Sequence, residues 1–172
     1  MIRIIAERSG DQKAITQIND LAFKGDNESR LVNAIRNSEL FVPELSLVAE
    51  ADGELIGHIL FSIVHIKSGE DEIPTLALAP MAVVPEHQNR GVGSLLVDEG
   101  LKRAKDQGFG HAVVLGHPEF YPKFGFVPAI TKGIEAPFPV PDEVFMALEI
   151  KEGSLDHIKG KIVYPPAFDT VS

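Results

Sequence analysis

Gln88-Asn89-Arg90-Gly91-Val92-Gly93 sets two glycines one residue apart, between an apolar run ending at Val84-Pro85 and a periodic segment starting at Ser94. The chemistry this suits is anion binding. Glycines let the backbone turn tightly and bring N–H groups to a ligand with no Cβ in the way. A helix that starts here aims its unpaired N–H groups and positive dipole end at the same point. A diphosphate fits such a cradle. The dinucleotide-binding fingerprint does not fit, because Leu96 stands where its third glycine belongs and the motif lies mid-chain. The lysine phosphate loop is absent too, since no Gly-Lys-Ser or Gly-Lys-Thr follows.

The longer run Leu78-Ala79-Pro80-Met81-Ala82-Val83-Val84-Pro85-Glu86-His87-Gln88-Asn89-Arg90-Gly91-Val92-Gly93 resembles the acetyl-CoA signature of the GCN5-related N-acetyltransferase (GNAT) superfamily. There, Gln/Arg-x-x-Gly-x-Gly/Ala follows a strand and opens a helix. Leu115-Gly116-His117-Pro118-Glu119-Phe120-Tyr121-Pro122-Lys123-Phe124-Gly125-Phe126 resembles the second landmark of that family, a tyrosine shortly before a Gly-Phe. Its Gly-His-Pro approach is similar to one bacterial subgroup of predicted N-acetyltransferases. The match is strong over residues 73 to 128, looser over 1 to 72 and weak after about residue 150.

The resemblance implies an α/β fold, a mixed and mainly antiparallel sheet of about seven strands with helices on both faces. It implies acetyl-CoA as acyl-donor cosubstrate and an amine as acceptor. The diphosphate would lie on main-chain N–H groups of Gln88, Asn89, Arg90, Gly91, Val92, Gly93 and Ser94. In the family the preceding strand splays from its neighbour, so backbone groups of Met81, Ala82 and Val83 would hold the pantetheine arm and the thioester. Tyr121 matches the residue that donates a hydrogen bond or proton to the departing thiolate. A phenol with an ordinary pKa near 10 is protonated at neutral pH and can do this. The competing reading packs Tyr121 among Phe120, Phe124 and Phe126 as a core residue.

Family members often carry a glutamate on the strand leading into the cradle as general base, yet Thr75-Leu76-Ala77-Leu78-Ala79-Pro80-Met81 holds no acid. Glu119, His117 and His65 are candidates, and a water relay or an acceptor bound already neutral is equally admissible. The missing acid supports an alternative, a catalytically silent acyl-CoA-binding or regulatory module; Tyr121 opposes it.

Composition narrows the choices. The 172 residues are 44% hydrophobic, enough for one domain with a sizeable core. Twenty-five acidic against 16 basic residues give a net charge of −9, which opposes nucleic-acid binding and suits a cationic partner such as an amine. Without cysteine, a disulfide framework, a thiolate zinc site and a cysteine acyl-enzyme are excluded. His58 and His65 are an odd number of residues apart, so on one strand they face opposite ways, and no other histidine spacing suits a metal. No signal peptide and no apolar run of spanning length is present, so a cytoplasmic protein is expected.

The elements that must position these residues follow from periodicity. Residues 2–6 read as a strand, with Ser9-Gly10-Asp11-Gln12 as a capping box for a helix burying Ala14, Ile18, Leu21 and Ala22. A second helix to Arg36 buries Leu31, Val32 and Ile35; in the resembled fold this pair walls the acceptor site, where Glu28 is available to an amine. Strands are predicted at 45–50, 54–66 and 73–84, the first two joined by the hairpin signal Asp52-Gly53. The helix after the cradle runs to Gln107 with Gly108 as C-cap, and Gly100 inside it predicts close approach to the sheet. Short strands are expected at 112–115, 126–130 and 144–150, and Ala136-Pro137-Phe138-Pro139-Val140-Pro141 reads as a rim loop. Residues 1–150 form the catalytic domain in this reading. Residues 151–172 are an extension on the same domain, available to pair across a two-fold in a homodimer.

Overall fold

The computed structural model describes residues 1–171, without the side chains of residues 170 and 171. Ser172, the end of the 151–172 extension, lies outside the described residues. Among the described residues, nine strands and three α-helices appear: β1 (Ile2–Ala6), α1 (Gln12–Phe23), α2 (Asn27–Arg36), β2 (Phe41–Ala51), β3 (Glu54–Ser68), β4 (Asp71–Val83), α3 (Val92–Asp106), β5 (His111–Leu115), β6 (Val127–Pro128), β7 (Ile134–Glu135), β8 (Phe145–Glu149) and β9 (Gly160–Val163). Strands pair in the order β1-β2-β3-β4-β5-β8-β6, with β9 joining β3 and β7. The sheet is α/β and mainly antiparallel, as expected, but carries nine strands where about seven were predicted. Two-residue β7 is made by its pairing with β9, which no local pattern announces.

The chain clusters into two compact units. The first comprises Met1–Ser62, Ala79–Arg103 and the residues from Pro166. In it, β1 and β2 pair from Ile2 opposite Ala51 to Ala6 opposite Leu47. The β2–β3 hairpin turns at Asp52 (φ 51°) and Gly53 (φ 79°), the two positive φ values of the turn that matches strand twist. α2 buries Leu31, Val32 and Ile35, each 1% exposed, each worth about 1.5–3 kcal/mol in apolar burial. α1 departs from expectation: Ile15, Ile18 and Asn19 face inward while Leu21 is 54% exposed. The cap ahead of α1 is also shifted, because the Asp11 carboxylate takes the backbone N–H of Arg8 at 2.8 Å and its guanidinium at 2.9 Å, in place of a Ser9 box.

α3 presents Leu96, Val97, Gly100 and Ala104 inward. A Cβ on Gly100 would run into the ring of fully buried Phe61, so the glycine is required by close approach to β3.

The second unit comprises Ile63–Leu78 and Ala104–Pro165. Gly108 (φ 91°) ends α3: its N–H bonds to Lys105 C=O and the Phe109 N–H to Ala104 C=O, the paired bonds of a glycine C-cap. β5 pairs antiparallel with β8 from His111 opposite Glu149 to Leu115 opposite Phe145. β6 stops at Pro128, short of the predicted 126–130 strand, because residues Ala129–Lys132 turn into a 3-10 segment.

Candidate functional site

The first unit carries the cradle. Asn89 (φ 64°) and Gly91 (φ 86°) are both left-handed, on either side of Arg90. Such alternation turns successive N–H groups toward one concavity, an arrangement that binds anions. Leu95 N–H bonds to Gly91 C=O at 3.1 Å, which makes Gly91 the residue at which the helix ladder begins. The N–H groups of Val92, Gly93 and Ser94 therefore lie ahead of the ladder and project from the positive end of a 15-residue helix.

Gln88 is used differently from its neighbours. Its backbone N–H goes to Pro85 C=O at 3.3 Å and its side-chain amide to Val83 C=O at 2.9 Å, so it ties the cradle to the end of β4. Sequence reasoning did not find this tether; a glutamine five residues after a strand end carries no signal for it.

β4 and β5 run parallel through Leu76 opposite Ala112 and Ala77 opposite Val113, and the ladder ends there. β4 continues beyond it as far as Val83, through Met81, buried Ala82 and Val83.

The second unit carries Tyr121, at the start of a 3-10 turn, Tyr121–Phe124. The ring is 7% exposed and sits edge-on to Phe120 at 5.0 Å and to Phe126 at 5.8 Å. Burial pushes its pKa up to about 12, so the phenol keeps its proton throughout the neutral range. Gly116, whose N–H bonds to Val144 C=O at 2.9 Å, gives the ring its space. The ring of Tyr121 is thus packed as a core residue, with the phenol hydroxyl at its tip.

The base candidates are spread out. His117 and Glu119 face each other at 3.8 Å on the surface, His65 is half-buried on β3 opposite Val163, and Glu28 lies in the first turn of α2. His58 is fully buried in the first unit: Asn19 Nδ2 lies 3.3 Å from its Nδ1 and Ser46 Oγ 3.1 Å from its Nε2. Ser46 in turn donates to Glu7, which Arg36 holds at 3.0 Å. Desolvation, reinforced by the charge of Arg36, lowers the His58 pKa to about 3. This relay joins four elements, α1, α2, β2 and β3, through Glu7 just after β1, and was not visible in the sequence. Among the described residues no cluster of metal-ligating side chains occurs, and no helix is long and apolar enough to cross a membrane.

Comparison with known proteins agrees with this geometry. The family model described as acetyltransferase (GNAT) family matches residues 13–126. An N-acetyltransferase of Escherichia coli, YjhQ, whose own role is uncharacterized, is 40% identical over 135 residues, 77% of this chain and 74% of that protein. The structure of E. coli YhbS in complex with CoA superposes with a TM-score of 0.89 at 27% identity, over 100% of this chain and 93% of that one. A GNAT family acetyltransferase from Brucella melitensis in complex with acetyl-CoA gives 0.80 at 32% identity, over 98% and 99%. With its helix-opening cradle inside the matched region, this chain belongs to the GNAT family of acetyltransferases.

Proposed function

We propose that this protein moves the acetyl group of acetyl-CoA directly to an amine within a ternary complex. The observation that carries the reading is the pair of left-handed residues, Asn89 and Gly91, at the start of α3, which turns N–H groups toward one point as a diphosphate requires. The structural relatives from E. coli and B. melitensis, bound to CoA and acetyl-CoA, support that ligand. The diphosphate rests on the N–H groups of residues 89–94, with Gln88 as the tether. The thioester lies along Met81, Ala82 and Val83.

In the transfer, the amine nitrogen forms a bond to the acetyl carbon and the carbon–sulfur bond breaks. An ammonium and a thioester become an amide, a thiol and one released proton. Tyr121 serves the sulfur as a hydrogen-bond donor. Full transfer from a phenol of pKa about 12 to a thiolate whose acid has a pKa near 8.5 is uphill by roughly 5 kcal/mol, so the thiol proton comes from the amine side. Hydrogen bonding that strengthens as charge develops on sulfur still lowers the barrier. With no cysteine in the chain, direct transfer needs no acyl-enzyme.

The test is a panel of amines assayed for CoA release, followed by initial rates with varied acetyl-CoA and acceptor. Intersecting lines are expected. A ping-pong pattern overturns direct transfer, and tight acetyl-CoA binding without CoA release from any amine favours the silent module, which the acid-free strand before the cradle also suits.

A further inference from the structure

The proline-rich loop lines a half-open cavity of about 170 Å³ within the second unit. Ile130, Ile134, Phe138 and Phe145 give it apolar and aromatic walls, and Glu135 and Asp142 supply its only charged lining side chains. Both charges are negative. Among the described residues neither carboxylate is in an ion pair: Lys132 is engaged by Glu149 at 3.2 Å, and Lys161, the register partner of Glu135, does not close on it. The Phe138 ring lies parallel to that of Tyr164, with centroids 6.1 Å apart and 5° between the planes. The floor connects to Tyr121 through the backbone: Phe145 pairs with Leu115, and Val144 C=O accepts the N–H of Gly116, against whose Cα the Tyr121 ring packs.

Aromatic walls with unpaired carboxylates at the rim select a cation carried on an apolar stem. An anion is repelled, and a neutral molecule gains only the walls. The volume suits a group about the size of benzene, which fills an apolar cavity of roughly 150 Å³.

We propose that this cavity docks the ammonium-bearing end of the acceptor, a compact primary amine on an apolar or aromatic stem. The assignment as acceptor rests on the transfer reaction proposed above; the cation selectivity rests on the cavity alone.

Benzylamine, benzyl alcohol and benzoate, titrated calorimetrically at neutral pH and low salt, test it. Benzylamine is expected to bind at least about tenfold more tightly than the alcohol, with benzoate the weakest of the three, because only the cation is attracted by the lining carboxylates. The double variant Glu135→Gln/Asp142→Asn should erase the gap between amine and alcohol, and Phe138→Ala should weaken both, with circular dichroism as a check on folding. Equal binding of amine and alcohol, or wild-type benzylamine affinity in the double variant, overturns the site. With acetyl-CoA added, benzylamine-dependent CoA release whose KM rises in the double variant supports the acceptor assignment. Cation binding without CoA release, in a protein that releases CoA with another amine, overturns that assignment. Failure to bind acetyl-CoA at all sinks the transferase reading and leaves the cation titration to be judged by itself.

Discussion

The ring of Tyr121 lies against the Cα of Gly116, so closely that a Cβ there would stand 2.5 Å from a ring carbon. The backbone that follows β5 therefore fixes where the phenol points. Gly116→Ala should displace the ring and lower kcat about 10- to 100-fold, as small misplacements of a positioned group do, with acetyl-CoA affinity nearly unchanged. Wild-type kcat in this variant, with a folded protein, would detach Tyr121 from the chemistry.

The cradle separates backbone from side chain. Gly91 has open space where a Cβ would go, but its φ of 86° is one that a branched residue resists. Gly91→Val should weaken CoA binding by about tenfold or more in calorimetry. Asn89, at φ 64°, should tolerate glycine, which keeps the turn while removing the side chain. If Asn89→Gly binds CoA as poorly as Gly91→Val does, the side chain and not the main chain holds the phosphate.

His58 predicts a pH dependence of stability. Its pKa falls from 6.5 in the unfolded chain to about 3 when buried, so between those values the unfolded state binds the extra proton. The contribution is intact above pH 6.5 and is lost as pH falls toward 3, at up to about 1.4 kcal/mol per pH unit. His58→Gln removes the titration, and urea unfolding between pH 6.5 and 4.5 should show a shallower slope for the variant. Parallel slopes would contradict the buried neutral imidazole.

Gly100→Ala sets two effects against each other. Helix propensity gains about 1 kcal/mol, while the new Cβ meets the Phe61 ring in a packed core, where overpacking costs about 1–3 kcal/mol. A net loss is expected in denaturant unfolding, and Phe61→Leu in the same chain should recover part of it as a coupling energy. Additive effects would mean the two do not touch.

What was legible in the sequence was what local rules govern. Asp52-Gly53 fixed the β2–β3 turn because few residues accept two positive φ values, and Gly108 marked the end of α3 for the same reason. The tight turn ahead of α3 could be read because its glycines and the helix start coincide. The inward face of α1 was not, since Asn19 is polar and its burial depends on His58, thirty-nine residues away. β7 and β9 exist through their mutual pairing, and β6 was overestimated because nothing local announced the 3-10 turn at Ala129. The Gln88 tether and the Gly116 contact are likewise tertiary. The rim loop was predicted from its prolines, but the cavity it lines needs Phe145 and Ile134 from strands that pair elsewhere.

Tyr121→Phe, measured on a confirmed acceptor, tests the account most directly, because the ring and its packing remain while the donor is lost. The account predicts a fall in kcat of about 10²- to 10³-fold, the range for removing one preorganised donor, with acetyl-CoA affinity barely changed because the lost bond strengthens only in the transition state. Equal turnover by the variant and the wild-type protein would contradict it.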